Sequence, residues 1–399
     1  MIVVVVVAIL IVIALGVCFR LLYDRHFVAQ NYFDMNLHIP PVGNEKTQDT
    51  FSVLPPSKIY KIPHSMTHIG DKSDAYATLR KEFEETHPYN PDRSLQFTNQ
   101  IPRLHVNTVE NPTYDIHDCP DHPPENYPHQ WQTLELLNNW SPNDPTIPTK
   151  IYQGICIFDY RRDYVKALNY RKQEVPFVVR GDPEVAQTVE RWNSPEYLSK
   201  LLAMNNVQHR VEYSESNQFM YWMLPKNNKR TLPPGWKKPT TLMRMTYNKW
   251  LDHANKTDAS LLAPGQPHWY FRLIGCGETG PKGECDTGSS EFLFDELTFF
   301  QPRNNLYMVQ PHQQRGIHCR FGMTGVTAEN HFDQSRNAIV VLGGARRYIL
   351  SHPNQCPNLY LYPKEHPSGR HSKVDWNDPD LDLYPDCKCN FGYHPSVTN

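Results

Sequence analysis

The chain has 399 residues, of which 39% are hydrophobic and 12% aromatic, enough for one large folded domain with an extension or for two domains. Lysine and arginine number 40 against 42 aspartate and glutamate, and the formal net charge of −2 excludes a general electrostatic attraction to nucleic acids or acidic lipids. The 35 prolines predict long irregular regions.

The first predicted element is a hydrophobic segment at the N-terminus. Residues 2–19 carry no charged side chain, and as a helix of about 27 Å they would match the hydrocarbon thickness of a bilayer. The small residues before Val17 also fit a cleaved signal peptide, but no cationic segment precedes the apolar run, and the run is longer than a signal-peptide core. We therefore expect a membrane anchor at residues 1–20 of a single-pass protein, in contact with the membrane through residues 2–19.

Two kinds of signal disagree about the side of the membrane on which the rest of the chain lies. Arg20 and Arg25 follow the anchor and favour a cytosolic location by the positive-inside rule. Cysteines outside the anchor and glycosylation sequons at Asn139 and Asn255 favour the lumen of the secretory pathway. We favour the lumen, with the cytosol as the alternative.

Residues 21–148 are predicted to form a proline-rich stalk and an irregular arm, because prolines at this density interrupt helices and central strands. One helix is predicted at "SDAYATLRKEFEET", where Tyr76, Leu79 and Phe83 would share one face.

Residues 149–399 are predicted to form the main domain. The stretch "RRDYVKALNYRKQ" favours a helix, "VPFVVRG" a buried strand, and "DPEVAQTVERWNSPEYLSKLL" two helices that are separated at "NSP". Basic residues are in excess between positions 151 and 250, which is typical of a solvated loop and would also suit a rim that attracts an acidic substrate.

The pattern then changes to short strands at "LYMVQ", "GIHCRFGM", "NAIVVL" and "RRYILS", with Gly343 and Gly344 as the turn of a hairpin. Strands of this kind after helices predict a β-barrel or jelly roll with helical decoration. Between them, "GCGETGPKGEC" does not fit a phosphate-binding loop, and we expect a Cys276–Cys285 disulfide if the domain is lumenal.

The triplet "HFD" at residues 331–333 indicates a candidate metal-binding site. In a strand, His331 and Asp333 would point to the same face, and an imidazole with a carboxylate supplies two of the three ligands of the facial triad that holds Fe(II). Taken alone, the triplet is better interpreted as a surface ion pair.

The surrounding sequence resembles the Jumonji C, or cupin-like, Fe(II)/2-oxoglutarate dioxygenases. The matching stretches are "GMTGVTAENHFDQSRN", "RRYIL" and "LYLYPKEHPSGRHSKVDWNDPDLDLYP", and upstream "VPFVVRG" with "TVERWNSPEYLSKLL". The resemblance spans roughly residues 151 to 385 and is greatest to the asparaginyl hydroxylase that acts on hypoxia-inducible factor. It implies an α+β, mainly β fold, a double-stranded β-helix of the cupin or jelly-roll type.

The resemblance also implies Fe(II) and 2-oxoglutarate as cofactors. His331 and Asp333 match the first two iron ligands, and Asn337 matches an asparagine that lines the co-substrate pocket. Arg346 takes the place of the family's lysine and, with Tyr270, would hold the distal carboxylate of 2-oxoglutarate. Thr327 lies one place away from the family's threonine and is a further candidate.

The third iron ligand is missing from the pattern. After Pro385 the chain continues as "DCKCNFGYHPSVTN", without the late strand that carries the family's last histidine, and His394 is not assigned as a ligand. We therefore expect a domain that is truncated after about residue 385 and a longer product from the same locus.

These expectations together predict a membrane-anchored oxygenase that hydroxylates a protein side chain, with no nucleic-acid partner. The alternative is a catalytically inactive cupin-like module that binds or scaffolds. A membrane-tethered β-sandwich lectin would leave Arg346 and Tyr270 unexplained.

Overall fold

The computed structural model describes part of the chain, and every described residue lies in one unit that begins at Ile62. The described residues are 72–89, 114–132, 135–136, 154–224, 232–255, 265–275, 292–300, 306–307, 316–333, 336–376, 378–388, 390–391 and 396–398. No helix within these ranges has both the length and the apolar composition needed to cross a membrane. The expected anchor at residues 1–20 and the expected Cys276–Cys285 disulfide lie outside the described residues.

Local signals define where the helices begin. Asp182 accepts a hydrogen bond from the backbone N–H of Glu184 and is followed by proline at the first helical position, and Ser194 caps the next helix in the same way. The helices are α1 (Lys72–Thr86), α2 (Tyr164–Lys172), α3 (Pro183–Trp192), α4 (Pro195–Ala203), α5 (Tyr247–Ala254) and α6 (Phe292–Glu296).

Most strands are short. They are β1 (Trp131–Gln132), β2 (Ile157–Asp159), β3 (Val178–Arg180), β4 (His209–Ser214), β5 (Gln218–Phe219), β6 (Thr241–Met245), β7 (His268–Gly275), β8 (Ile317–Gly322), β9 (Thr327–Ala328), β10 (Ala345–Arg347), β11 (Asn390–Phe391) and β12 (Ser396–Thr398).

The largest sheet has four strands in the order β6-β4-β7-β8, and every neighbouring pair is antiparallel. Because side chains alternate along a strand, one face carries Val211 with its cross-strand partners Met243 and Phe271. This apolar face packs against α3, α4 and α5 through Trp192, Leu201 and Trp250, among others. The opposite face carries polar residues, Glu212 and Tyr270 among them, and is the face from which the candidate site is built.

A second cluster lies beside the parallel pair β2–β3, where Phe158 and Tyr170 are fully buried. A disulfide between Cys119 and Cys156 lies in this cluster. It links the segment at residues 114–132, within the predicted arm, to the beginning of the main domain.

Helix α1 also packs on the main domain. Tyr76, Leu79 and Phe83 contact the large core, as their spacing predicted, and Tyr76 stacks on Phe292 with ring centroids 4.7 Å apart. Arg80 donates to the backbone oxygen of Asp295 at 2.5 Å.

Several predicted elements are confirmed. Helices α1 to α4, the strand at "VPFVVRG" and the strand at "GIHCRFGM" all form. The hairpin across Gly343 and Gly344 was wrong, because residues 338–342 form no strand and β10 pairs instead with β12. The strand expected at "HFD" was also wrong, since His331 takes part only in an isolated bridge to His371.

Candidate functional site

The predicted site has two halves, and His331 belongs to the half that would bind the metal. Its Nδ1 lies 2.6 Å from the backbone oxygen of Glu329, an interaction that orients the ring and leaves Nε2 as the nitrogen that can bind a metal. The ring stacks on His371 with centroids 4.9 Å apart and an interplanar angle of 21°. His331 is exposed, whereas His371 is buried.

His371 was not predicted as part of the site. Burial and the charge of His331 lower the pKa of His371 to about 4, so His371 is neutral at neutral pH. Its Nδ1 lies 3.2 Å from the backbone oxygen of Gly369. No local signal marked this histidine, because its contact with His331 joins two segments that are 40 positions apart.

Asp333 is held by two side chains. Asn337 donates to one carboxylate oxygen at 2.7 Å, and Arg370 approaches the other at 3.3 Å while also donating to the backbone oxygen of Phe332 at 2.8 Å. Desolvation raises the pKa of Asp333, but these hydrogen bonds and the charges of His331 and Arg370 outweigh it, so the pKa lies below its usual value. Asp333 is therefore a carboxylate and a potential ligand.

Asn337 has a different contact from the one expected. The resemblance implied that it lines the co-substrate pocket, whereas its amide is bonded to Asp333. It orients the second potential iron ligand, and a further role in the pocket stays a prediction.

Arg346 and Tyr270 are brought together. The guanidinium of Arg346 donates to the Tyr270 hydroxyl at 2.9 Å, and its central carbon lies 5.7 Å from the centroid of the tyrosine ring. Tyr270 is only 2% exposed. Desolvation lowers the pKa of Arg346, yet its contacts with Tyr270 and Tyr348 prevail and raise it, so the cation is firmly charged. A guanidinium beside a hydroxyl in a half-buried location suits a carboxylate ligand.

Thr327 does not join this pair through any contact in the described part of the chain. It lies on β9, which runs parallel to β5, and its hydroxyl donates to the backbone oxygen of Gly325 at 3.4 Å. The link between the two halves is Phe219 on β5. Its ring meets Tyr270 edge-on at 5.4 Å, and its backbone oxygen accepts from Glu329, two residues before His331.

The fit of these residues to Fe(II) is incomplete. His331 and Asp333 offer a nitrogen and an oxygen donor of the right chemistry. Within the described ranges, however, no three His, Cys, Asp or Glu side chains lie close enough together to hold a metal ion. His394 lies outside those ranges. His366 stacks on Tyr362 at 3.9 Å and accepts from the backbone of Ser368, away from the pair.

Comparison with known protein families identifies the domain that carries these residues. Residues 165–398, more than half of the chain, match the cupin-like domain. The match extends past residue 385, where the resemblance was expected to end, so the expected truncation is not confirmed. Within the matched region β12 pairs with β10, the strand that carries Arg346. The chain belongs to the cupin-like domain family, of the Jumonji C type.

Proposed function

We propose that the protein is a membrane-anchored Fe(II)/2-oxoglutarate-dependent oxygenase that hydroxylates a protein side chain. The observation that carries the proposal is the half-buried contact between Arg346 and Tyr270 on the polar face of the main sheet, in a cupin-like domain that also presents His331 and Asp333. Fe(II) together with 2-oxoglutarate supplies the activation of dioxygen in this class of enzyme.

Each residue has a distinct task in this proposal. Arg346 binds the distal carboxylate of 2-oxoglutarate through charge-assisted hydrogen bonds, and the Tyr270 hydroxyl adds a second contact. His331, oriented by the Glu329 carbonyl, and Asp333, oriented by Asn337, would be two of the iron ligands.

The proposal also includes a membrane anchor and a location of the domain in the lumen of the secretory pathway. The Cys119–Cys156 disulfide supports an oxidising compartment, and Asn255, the acceptor of one sequon, is exposed at the end of α5. Full-length protein should resist carbonate extraction from membranes and should gain mobility after glycosidase treatment. Release by carbonate, or unchanged mobility, would remove this part of the proposal.

The proposed activity is tested with the full chain purified in detergent and loaded with Fe(II). Succinate formed from 2-oxoglutarate is the measurement, with bound iron determined in the same sample. Iron at about one equivalent with 2-oxoglutarate-dependent succinate supports the oxygenase. Bound iron without succinate, under conditions in which a known oxygenase turns over, contradicts it.

A catalytically inactive binding module is the second candidate. Two observations favour it: the described part of the chain contains no three-residue metal cluster, and Asp333 is already paired with Arg370. This candidate expects no stoichiometric iron in the purified protein, so the iron measurement separates the two functions before any turnover is assayed.

A further inference from the structure

His268, the first residue of β7, is fully buried, and both nitrogens of its ring face backbone carbonyl oxygens. Nδ1 lies 2.8 Å from the oxygen of Gln266, and Nε2 lies 3.1 Å from the oxygen of Thr324. A carbonyl oxygen only accepts hydrogen bonds, and a neutral imidazole carries a single N–H. Both contacts are therefore hydrogen bonds at the same time only when the ring is protonated.

The two contacts of the ring differ in length and in what they join. The contact with Gln266 is the shorter one and is local, since the two residues are two positions apart. The contact with Thr324 is longer and joins residues that are 56 positions apart. A neutral ring keeps its proton on Nδ1, where the shorter bond forms, and then no proton lies between Nε2 and the Thr324 oxygen. Loss of the ring charge thus opens the long-range contact.

Thr324 belongs to the turn at residues 323–326, which connects β8 to β9. Two residues of β9 follow the turn, and the next residue is Glu329. The backbone oxygen of Glu329 lies 2.6 Å from Nδ1 of His331 and orients that ring. A change in the position of the turn is therefore passed to the metal half of the site through three residues of chain.

The other contacts that hold the turn do not depend on pH. The backbone N–H of Trp269 donates to the sulfur of Met323 at 3.3 Å. On the other side, the amide of Asn217 donates to the backbone oxygen of Gly325 at 3.0 Å, and its own backbone oxygen accepts from Thr327 at 2.8 Å. None of these three contacts involves a group that changes its charge between pH 5 and pH 8, as the histidine ring ordinarily does.

The groups around His268 leave the charge of the ring to the solution pH. Its cross-strand partner on β4 is Ser214, and neither the turn nor β5 contains a titratable side chain. The titratable side chains nearest to it along the sheet are Glu212 and Tyr270 on the same face, Tyr213 and His253 against Trp269 on the other face, and the exposed Glu215 after Ser214. Glu212 is paired with Arg272, and within the described ranges no ion pair joins His268 to another residue.

We propose that His268 is a pH-dependent positioning residue, whose protonated ring bonds the Thr324 carbonyl and so holds the turn and the metal half in place at mildly acidic pH. Deprotonation releases this contact. The effect on the turn follows from the geometry of His268 alone, whereas the effect on metal binding rests on the proposed function.

The state of the turn is measured by hydrogen exchange of the full chain in detergent, without iron. Peptides that cover residues 323–331 contain the bonded amides of Val326, Thr327 and Glu329. Their exchange is followed by mass spectrometry at pH 6.0 and pH 7.5 and is corrected for the pH dependence of exchange in an unstructured peptide. Protection should be about fivefold greater at pH 6.0, the effect of about one hydrogen bond. Protection that is equal at the two pH values, or greater at pH 7.5, overturns the proposal.

Two neutral variants separate the two ring nitrogens, because the amide of asparagine reaches the position of Nδ1 and that of glutamine the position of Nε2. His268→Asn loses the bond to Thr324, so its protection should stay at the low wild-type level at both pH values. His268→Gln keeps a neutral donor to Thr324, so its protection should stay at the high level. The exposed His122→Gln is the control and should retain the wild-type difference.

A wild-type pH difference that persists in either His268 variant would assign the effect to another group and reject the proposal. If one variant unfolds in a thermal melt, the wild type and the other variant still decide the question, since the wild type must switch and the variant must not.

Metal binding is then measured by titration with Mn(II). Protonation of the ligands weakens binding at low pH in every form of the protein, so the informative quantity is the ratio of the affinities of the wild type and His268→Asn. This ratio should rise from about one at pH 7.5 to about five at pH 6.0. A constant ratio would show that the turn does not position the metal half, and the positioning role would be wrong. No Mn(II) binding in any form, with pH-dependent protection intact, would reject the proposed oxygenase and retain the contact between His268 and the turn.

Discussion

The candidate site has a co-substrate half, formed by Tyr270 and Arg346, and a metal half, formed by His331 and Asp333. The two halves lie in different kinds of structure. Tyr270 lies on β7, an inner strand of the main sheet, and is 2% exposed. His331 and Asp333 lie in irregular chain after β9 and are exposed. The first half is oriented by a hydrogen-bonded sheet, the second by single contacts from Glu329, Asn337 and Arg370.

This difference indicates that the co-substrate half is preorganised and the metal half is less so. A side chain on a packed strand keeps its position whether or not a ligand is bound, because both backbone and rotamer are fixed by neighbours. Ligands in irregular chain depend on a few side-chain contacts, and one of these, the ion pair from Arg370, would compete with a metal for the Asp333 carboxylate. Substitutions should therefore affect the two halves in different ways.

The largest effect is expected in the metal half. His331→Ala or Asp333→Ala should reduce succinate formation at least about a hundredfold and abolish stoichiometric iron binding, because each removes a ligand. Phe332→Ala, at the exposed position between them, is the control and should retain activity. Near-normal iron content in either ligand variant would show that the metal lies elsewhere.

The next effect is a loss of folding stability at low pH, and it arises in the main sheet. Burial and the charge of Arg244 lower the pKa of His209 at the start of β4 to about 4, from an ordinary value of 6.5. The unfolded chain then binds more protons than the folded chain between these values, so stability is complete above about pH 6.5 and falls towards pH 4. The loss is on the order of 3 kcal/mol.

Thermal melts between pH 7 and pH 4 measure this effect. His209→Phe should flatten the acid limb of the stability curve, whereas the exposed His122→Gln should leave it unchanged. An equally steep acid limb in His209→Phe would assign the acid sensitivity to other groups.

Substitutions in the co-substrate half should change the KM for 2-oxoglutarate. Arg346→Gln removes a charge-assisted contact to the carboxylate and should raise the KM for 2-oxoglutarate about ten- to a hundredfold with a smaller change in kcat. Tyr270→Phe keeps the ring and removes only the hydroxyl, so an increase of about three- to tenfold is expected. A KM that both variants leave unchanged would place 2-oxoglutarate away from this pair.

The smallest effect is expected at the contact that competes with the metal. Arg370→Gln removes the ion pair to Asp333 and a positive charge near the cation, and should tighten Mn(II) or Fe(II) binding about two- to fivefold. Lys364→Gln, an exposed lysine in the same loop, is the matched control. Weaker metal binding in Arg370→Gln would mean that Arg370 orients Asp333 for the metal instead of competing with it.

Parts of the site could be predicted from sequence because their signals are local or belong to the family pattern. The resemblance named Arg346 and Tyr270 together, and they are in contact. It also named His331 and Asp333, but the strand expected there does not form, since neither residue enters a ladder with a neighbouring strand. Arg370 and His371 were missed because a long loop carries no pattern that predicts its partners.

The sequence by itself determined the elements whose causes lie within a few residues. Asp182-Pro183 and Ser194-Pro195 set the starts of α3 and α4, and the alternation at "GIHCRFGM" set β8, because capping bonds and the two-residue period act along the chain. Only the tertiary structure decided the Arg370–Asp333 ion pair, the stacking of His331 on His371 and the alignment of one arginine from each strand of the main sheet. Each joins residues far apart in the chain, and the register that aligns Arg244, Arg210, Arg272 and Arg320 is set by how the apolar faces of four strands pack on the helices beneath them.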